Sequence, residues 1–162
     1  MTVLKTKDIC EALDLKRHQL RAWTDALAPY SKQTTRARSA RRFDTGDLLF
    51  FATVQHIEKK FGLSISVFAK LSQCIYDTVR SPRTTNDHER IFLDINSQRC
   101  FITDTLDVNA EGMLIDIVPV KKLVSGFLGL TPTQEQIHFD LAKSKITTIN
   151  STEERLWPRL NK

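Results

Sequence analysis

The chain has 162 residues, 41% hydrophobic and 27% charged, with only 5 Gly and 5 Pro, which is the make-up of one ordinary folded domain or two small ones and excludes disorder except near the ends. No apolar run approaches the roughly 20 residues needed to cross a bilayer, and Met1-Thr2-Val3-Leu4-Lys5 lacks a signal peptide's apolar core, so a cytoplasmic protein with no membrane partner is expected. The net charge of +5 is unevenly spread: residues 1 to 83 carry 15 Lys or Arg against 8 Asp or Glu, a net of +7, whereas residues 84 to 162 carry 9 against 11, a net of −2, so only the first half suits a polyanion.

Thr6 is placed to cap a short helix, Lys7 to Leu13, whose Ile9, Ala12 and Leu13 share a face, and Asp14-Leu15 supplies a tight turn. A second helix is predicted from about Lys16 to Leu27, with Leu20, Trp23 and Leu27 at the spacing of a core-facing stripe. Lys16, Arg17, Gln19 and Arg21 fall off that stripe near the helix start, with His18 close by, where side chains can reach base edges or phosphates. Trp23 could stack on a base, but its place in the stripe favours the core.

After Pro29 the chain turns polar and basic. The window 16 to 42 holds Lys16, Arg17, Arg21, Lys32, Arg36, Arg38, Arg41 and Arg42 against the single acid Asp25, a net of +7 in 27 residues. A charge run alone is usually a solvated face, but beside a recognition-type helix it points to phosphate neutralisation. The segment reads as a two-stranded wing or loop pinned at its base by Tyr30 and Phe43. Asp44, with Asp47 three residues on, makes a near capping box for a third helix from about Thr45 to Lys60, which Gly62 ends. Ser64 then opens a fourth helix, Ile65 to about Arg80, with Phe68, Leu71, Ile75 and Val79 on one face.

In order and spacing, Thr6-Lys7-Asp8-Ile9-Cys10-Glu11-Ala12-Leu13, Leu20-Arg21-Ala22-Trp23, Arg41-Arg42-Phe43-Asp44-Thr45-Gly46-Asp47-Leu48 and Gly62-Leu63-Ser64-Ile65 resemble the landmarks of the MerR-type winged helix-turn-helix. The resemblance covers about residues 3 to 80. It implies that the first two helices form the helix-turn-helix, that Arg21 contacts DNA, and that Arg41 and Arg42 support a wing on the phosphates. Two departures mark a divergent relative. Ser39-Ala40 stands where the family usually has a glycine before its paired basic residues. The family's long dimerisation helix is replaced by Ser81-Pro82-Arg83-Thr84-Thr85-Asn86-Asp87, a polar break that reads as a linker.

Beyond it the period becomes two-fold. Arg90 to Ile95 and Arg99 to Thr103 flank Asn96-Ser97-Gln98 as a hairpin, and Gly112 to Val118 reads as a third strand after a loop at Asp107 to Glu111. Pro119 suits the first turn of a helix carrying Val120, Leu123, Val124, Phe127 and Leu128. So small a module is expected to pack on the first domain or on a second subunit. Thr133 to Lys145 is compatible with a polar helix, and Trp157-Pro158 either anchors the tail or leaves it unanchored.

Sites for chemistry are sparse. Cys10, Cys74 and Cys100 are odd in number, far apart and without ligand-spaced partners, and read as reduced, buried thiols. His18, His56, His88 and His138 read as surface or hydrogen-bonded histidines. Asp94 and Asp116 lie in neighbouring predicted strands, where alternating solvent-facing acids explain them better than a carboxylate pair. No enzyme, metal or cofactor is expected.

The expected fold class is α+β: a winged helix-turn-helix of about four helices with a basic wing over residues 1–81, a linker at 82–89, a small antiparallel sheet plus helix at 90–130 for dimerisation or effector binding, and a C-terminal helix and tail at 131–162. The leading functional expectation is a sequence-specific, homodimeric transcription regulator at the bacterial nucleoid. It would read double-stranded DNA with helix 16–27, contact phosphates with the wing 31–42, and have RNA polymerase as a further partner. A phage-type excision or packaging factor, and an adaptor or antitoxin-like protein whose basic arm grips an acidic partner, are the alternatives.

Overall fold

The computed structural model describes residues 3–33, 41–83, 88–103 and 111–130. The order is β1 (Leu4–Lys5), α1 (Thr6–Leu13), α2 (Arg17–Ala26), a short 3-10 turn (Tyr30–Lys32), β2 (Arg42–Phe43), α3 (Thr45–Phe61), α4 (Ile65–Arg80), β3 (Arg90–Asp94), β4 (Arg99–Thr103), β5 (Met113–Asp116) and α5 (Val118–Phe127). Helices and antiparallel strands make the unit α+β. Most of the segment read as a wing, the middle of the predicted linker, residues 104–110 before β5, and everything from Thr131 onward, including His138 and Trp157-Pro158, lie outside the described residues.

Local chemistry sets the helix ends. Asp44 caps α3: its Oδ1 accepts from the Asp47 backbone N–H at 2.9 Å, while Asp47 Oδ2 accepts from the Asp44 N–H at 2.8 Å. Gly62 ends that helix with a left-handed φ of 63°, which costs a glycine nothing. Ser64 occupies the N-cap position of α4, although its hydroxyl pairs with that of Ser66 at 2.8 Å rather than with the backbone. At α1 the predicted cap is corrected: Thr6 is already helical, and the Asp8 carboxylate accepts from the Lys5 N–H at 2.7 Å.

Helix α3 is the centre of the core. Leu48, Phe50, Phe51, Ala52, Val54 and Ile57 are all buried, as befits a helix with neighbours on several sides. The predicted stripes of α2 (Leu20, Trp23) and α4 (Phe68, Leu71, Ile75, Val79) close on it, together with Leu27 just beyond α2. Each such side chain removed from water contributes roughly 1.5–3 kcal/mol before entropy is counted. Two buried polar side chains tie distant parts of the chain together: Gln55 Nε2 donates to the Leu13 carbonyl at 2.7 Å, and Ser72 Oγ accepts from Ala28 N–H at 2.9 Å beside the cis Ala28–Pro29 bond.

The second sheet has the order β4-β3-β5, all antiparallel, with Ile91 opposite Ile102 and Ile115. Its Ile91 and Leu93 face joins the same core as α3 and α4, and Met1–Thr131 forms one compact unit. This corrects the reading of the cysteines as three reduced thiols. Helix α4 lies against β4, bringing Cys74 and Cys100 to a Cα–Cα distance of 5.6 Å, within bridging range, and they form a disulfide; Cys10 is free. On α5, Val120 and Val124 are buried, but the expected partners Leu123 and Phe127 are 44% and 38% exposed, so its apolar face is narrower than its sequence period. No helix among the described residues is long and apolar enough to cross a membrane.

Candidate nucleic-acid interface

Helix α2 is amphipathic in a way that sorts its residues by chemistry. Its buried side seats Leu20 and Trp23, and the Trp23 ring stacks on Phe51 at 6.2 Å, a packing role rather than a base-stacking one. Its other side exposes Lys16, Arg17, His18, Gln19 and Arg21. Gln19 is partly engaged, because its Oε1 accepts from the Lys16 N–H at 2.9 Å and holds the first turn. Arg21 is 84% exposed and lies 3.8 Å from Asp25, an i,i+4 contact worth only a few tenths of a kcal/mol and readily exchanged for a phosphate or base. Lys16 and Arg17 make no ion pair among the described residues.

The far end of the basic segment returns beside this helix. Arg42 is exposed on β2, and its Cα partner across the β1–β2 pair is the exposed Lys5. Directly paired residues project on the same side of a sheet, so two cations stand together at this edge. Lys5 was missed in the sequence because it lies far from the basic window and a two-residue strand has no period to read. Arg41 is half-buried and reaches the carbonyl of Thr24, near the C-terminal end of α2, at 3.4 Å, where a cation also meets the negative end of the helix dipole. Lys32 is exposed on the 3-10 turn. Arg36 and Arg38 lie outside the described residues.

Below this surface is a polar cluster that the sequence did not announce. Arg80, the last residue of α4, forms a two-pronged pair with Asp44, Nη1 to Oδ1 and Nη2 to Oδ2 both at 2.6 Å. Its Nη1 also lies 3.1 Å from Asp47 Oδ1, which accepts from the hydroxyls of Tyr30 at 2.8 Å and Tyr76 at 3.3 Å. The hydrogen bond from Arg80 holds the Asp44 carboxyl below its usual range despite partial burial. Burial and the neighbouring Asp47 push the Tyr30 phenol well above its own. As the sequence predicts, Tyr30 and Phe43 meet edge to face, at 6.1 Å, at the root of the segment.

Among the described residues the remaining titratable groups do not assemble a further site. Asp94 and Asp116 stand at opposite ends of β3's pairing, opposite Arg99 and Arg90; Asp94 holds the hairpin turn through the N–H groups of Asn96 and Ser97 at 3.0 Å, and Asp116 accepts from the Val118 N–H, where α5 begins, at 2.9 Å. Glu89 is buried and pairs with Arg83 and Lys121. His18 is exposed, but His56 departs from expectation: its Nε2 is buried with no hydrogen-bond partner among the described residues. Burial, reinforced by Lys60 and opposed by Asp116, pushes its pKa down. Among the described residues no group of three His, Cys, Asp or Glu could hold a metal. No protein-family model, curated protein or solved structure matches this chain.

Proposed function

We propose that this protein is a sequence-specific, double-stranded-DNA-binding transcription regulator with a divergent MerR-like winged helix-turn-helix, acting as a homodimer. In this reading the exposed face of α2 enters the major groove, with Arg17, His18 and Arg21 toward base edges and Lys16, Lys32, Arg41 and Arg42 toward phosphates. The carrying observation is that one side of α2 is locked into the core while the other leaves Lys16 and Arg17 exposed without an ion pair among the described residues, and that Lys5 and Arg42, likewise exposed and unpaired, face each other across the β1–β2 pair. Like charges kept together at a surface cost stability unless a polyanion supplies the counter-charge.

The test is selection from a random duplex pool, followed by affinity measurement on the winning sequence across salt. Enrichment of a two-fold symmetric sequence, with binding that weakens steeply as salt rises, is expected. Failure to enrich any sequence, or affinity indifferent to salt, would overturn the reading. Sedimentation of the complex tests the dimer, which should bring two chains to each site.

A further inference from the structure

The two ends of the basic segment are tied to one side chain in a part of the chain far from both. Arg80 is 36 residues beyond Asp44, yet grips Asp44 with both prongs of its guanidinium and meets Asp47, which in turn accepts the Tyr30 hydroxyl. Tyr30 opens the segment that carries Lys32; Asp44 follows directly on Arg42 and Phe43. The guanidinium lies 4.9 Å over the Tyr76 ring, which fixes its plane. Gly46 leaves it room: a Cβ there would stand 2.4 Å from Arg80 Nη1, and a fork held at both prongs cannot step aside without breaking a bond.

We propose that Arg80 is a positioning residue for the nucleic-acid surface, fixing Lys32 and Arg42 relative to α2 by clamping both ends of the segment that carries them. The inference rests on the DNA-binding reading for its purpose, though not for its geometry. Arg80 needs no contact with DNA. A lysine in its place keeps the charge but cannot make the two-pronged bond, so the clamp depends on shape as well as charge.

Two variants separate positioning from folding. Arg80→Lys retains a cation, and Gly46→Ala leaves Arg80 present but displaces it, at a helical position where alanine is otherwise the better residue. Hydrogen exchange of the protein without DNA is expected to accelerate at the Arg42 and Phe43 amides in both variants, with the α2 amides unchanged. Duplex affinity should fall roughly tenfold and the salt dependence should flatten by about two counterions, as if two phosphate contacts were lost. Adding Arg42→Ala to either variant should then cost much less than it costs the wild type, because the arginine is already misplaced.

Unchanged exchange at Arg42 and Phe43, or an affinity loss that simply adds to that of Arg42→Ala, overturns the proposal. A wild-type chain that binds no duplex sinks the DNA reading instead, and the exchange result alone then decides whether Arg80 holds the segment.

Discussion

Between Arg83 and Lys121, the cations Arg83, Arg99 and Lys121 each meet a carboxylate of the same stretch, Glu89 or Asp94. On α2 and the β1–β2 pair, Lys5, Lys16, Arg17 and Arg42 stand exposed with no ion pair among the described residues, whereas Arg80, at the end of α4, pairs with Asp44 and Asp47. The Arg99–Asp94 pair is largely exposed within one hairpin, but the two pairs on buried Glu89 hold elements to one another. Unmatched surface cations hold nothing together and repel, so their accumulation at the surface points to a partner outside the chain. The contrast therefore forecasts that charge changes in the two regions will register in different measurements.

The largest effect is expected at Glu89, which is 1% exposed and bridges the segment after α4 to α5. Replacing it with Gln leaves Arg83 and Lys121 part-buried without their counter-charge, and stability measured by urea unfolding should fall by about 3 kcal/mol. Duplex affinity of the folded fraction should be unaltered. A variant as stable as the wild type would mean that these inward pairs hold nothing, and half of the contrast would be lost.

Arg21→Ala probes the other half. It should lower affinity for the selected duplex by roughly 10- to 100-fold, the worth of a base contact of about 1–3 kcal/mol. Its cost to folding should stay within about 0.5 kcal/mol, because the Asp25 contact it gives up is between exposed groups. Normal affinity together with lost stability would reverse the assignment of this face.

How far these two regions could be read in advance differs for a physical reason. Helix ends and buried stripes follow from residues three or four apart: Asp44 with Asp47, Gly62, and Phe68 with Leu71 and Ile75 all stand where their spacing predicts. The exposure of Lys16, Arg17, His18 and Arg21 was legible for the same reason, since a stripe on one side defines the other. Long-range pairings carry no such local signal. The Lys5–Arg42 strand pair, the Arg80 grip on Asp44 and the Cys74–Cys100 disulfide each join residues that only the packed fold brings together. His56 illustrates the same limit: among the charges that bear on it is Asp116, far along the chain.

A smaller effect is expected at Arg42. Its replacement by Ala should weaken binding a few-fold on every duplex alike and reduce the salt slope by about one, the signature of a phosphate contact rather than a base contact. Because the change also removes a like-charged neighbour from Lys5, stability should rise by a few tenths of a kcal/mol. Loss confined to one base position of the selected sequence would place Arg42 in a groove instead.

The smallest effect separates the two regions by pH. In the folded chain, burial first and Lys60 second hold the His56 imidazole below its ordinary 6.5, so the unfolded chain takes up the proton first as pH falls. Stability should therefore decline as pH drops below about 6.5 and level off once it passes the lower folded value. The carboxyls of Asp44 and Glu89 act later. Asp44 is lowered chiefly by Arg80; at Glu89 burial works upward, but Lys121 and Arg83 outweigh it, leaving both below their ordinary 3.8 and 4.5. Their stabilisation is complete above those values and is lost as pH falls through the lower folded ones. Urea midpoints from about pH 8 to about pH 3 should thus show two separated declines. His56→Leu should remove the upper decline alone, because the group that titrates there has gone while both carboxylate clusters remain intact. A midpoint that stays flat from about pH 7 to about pH 5 in the wild type would show that the His56 imidazole is not buried in the folded chain.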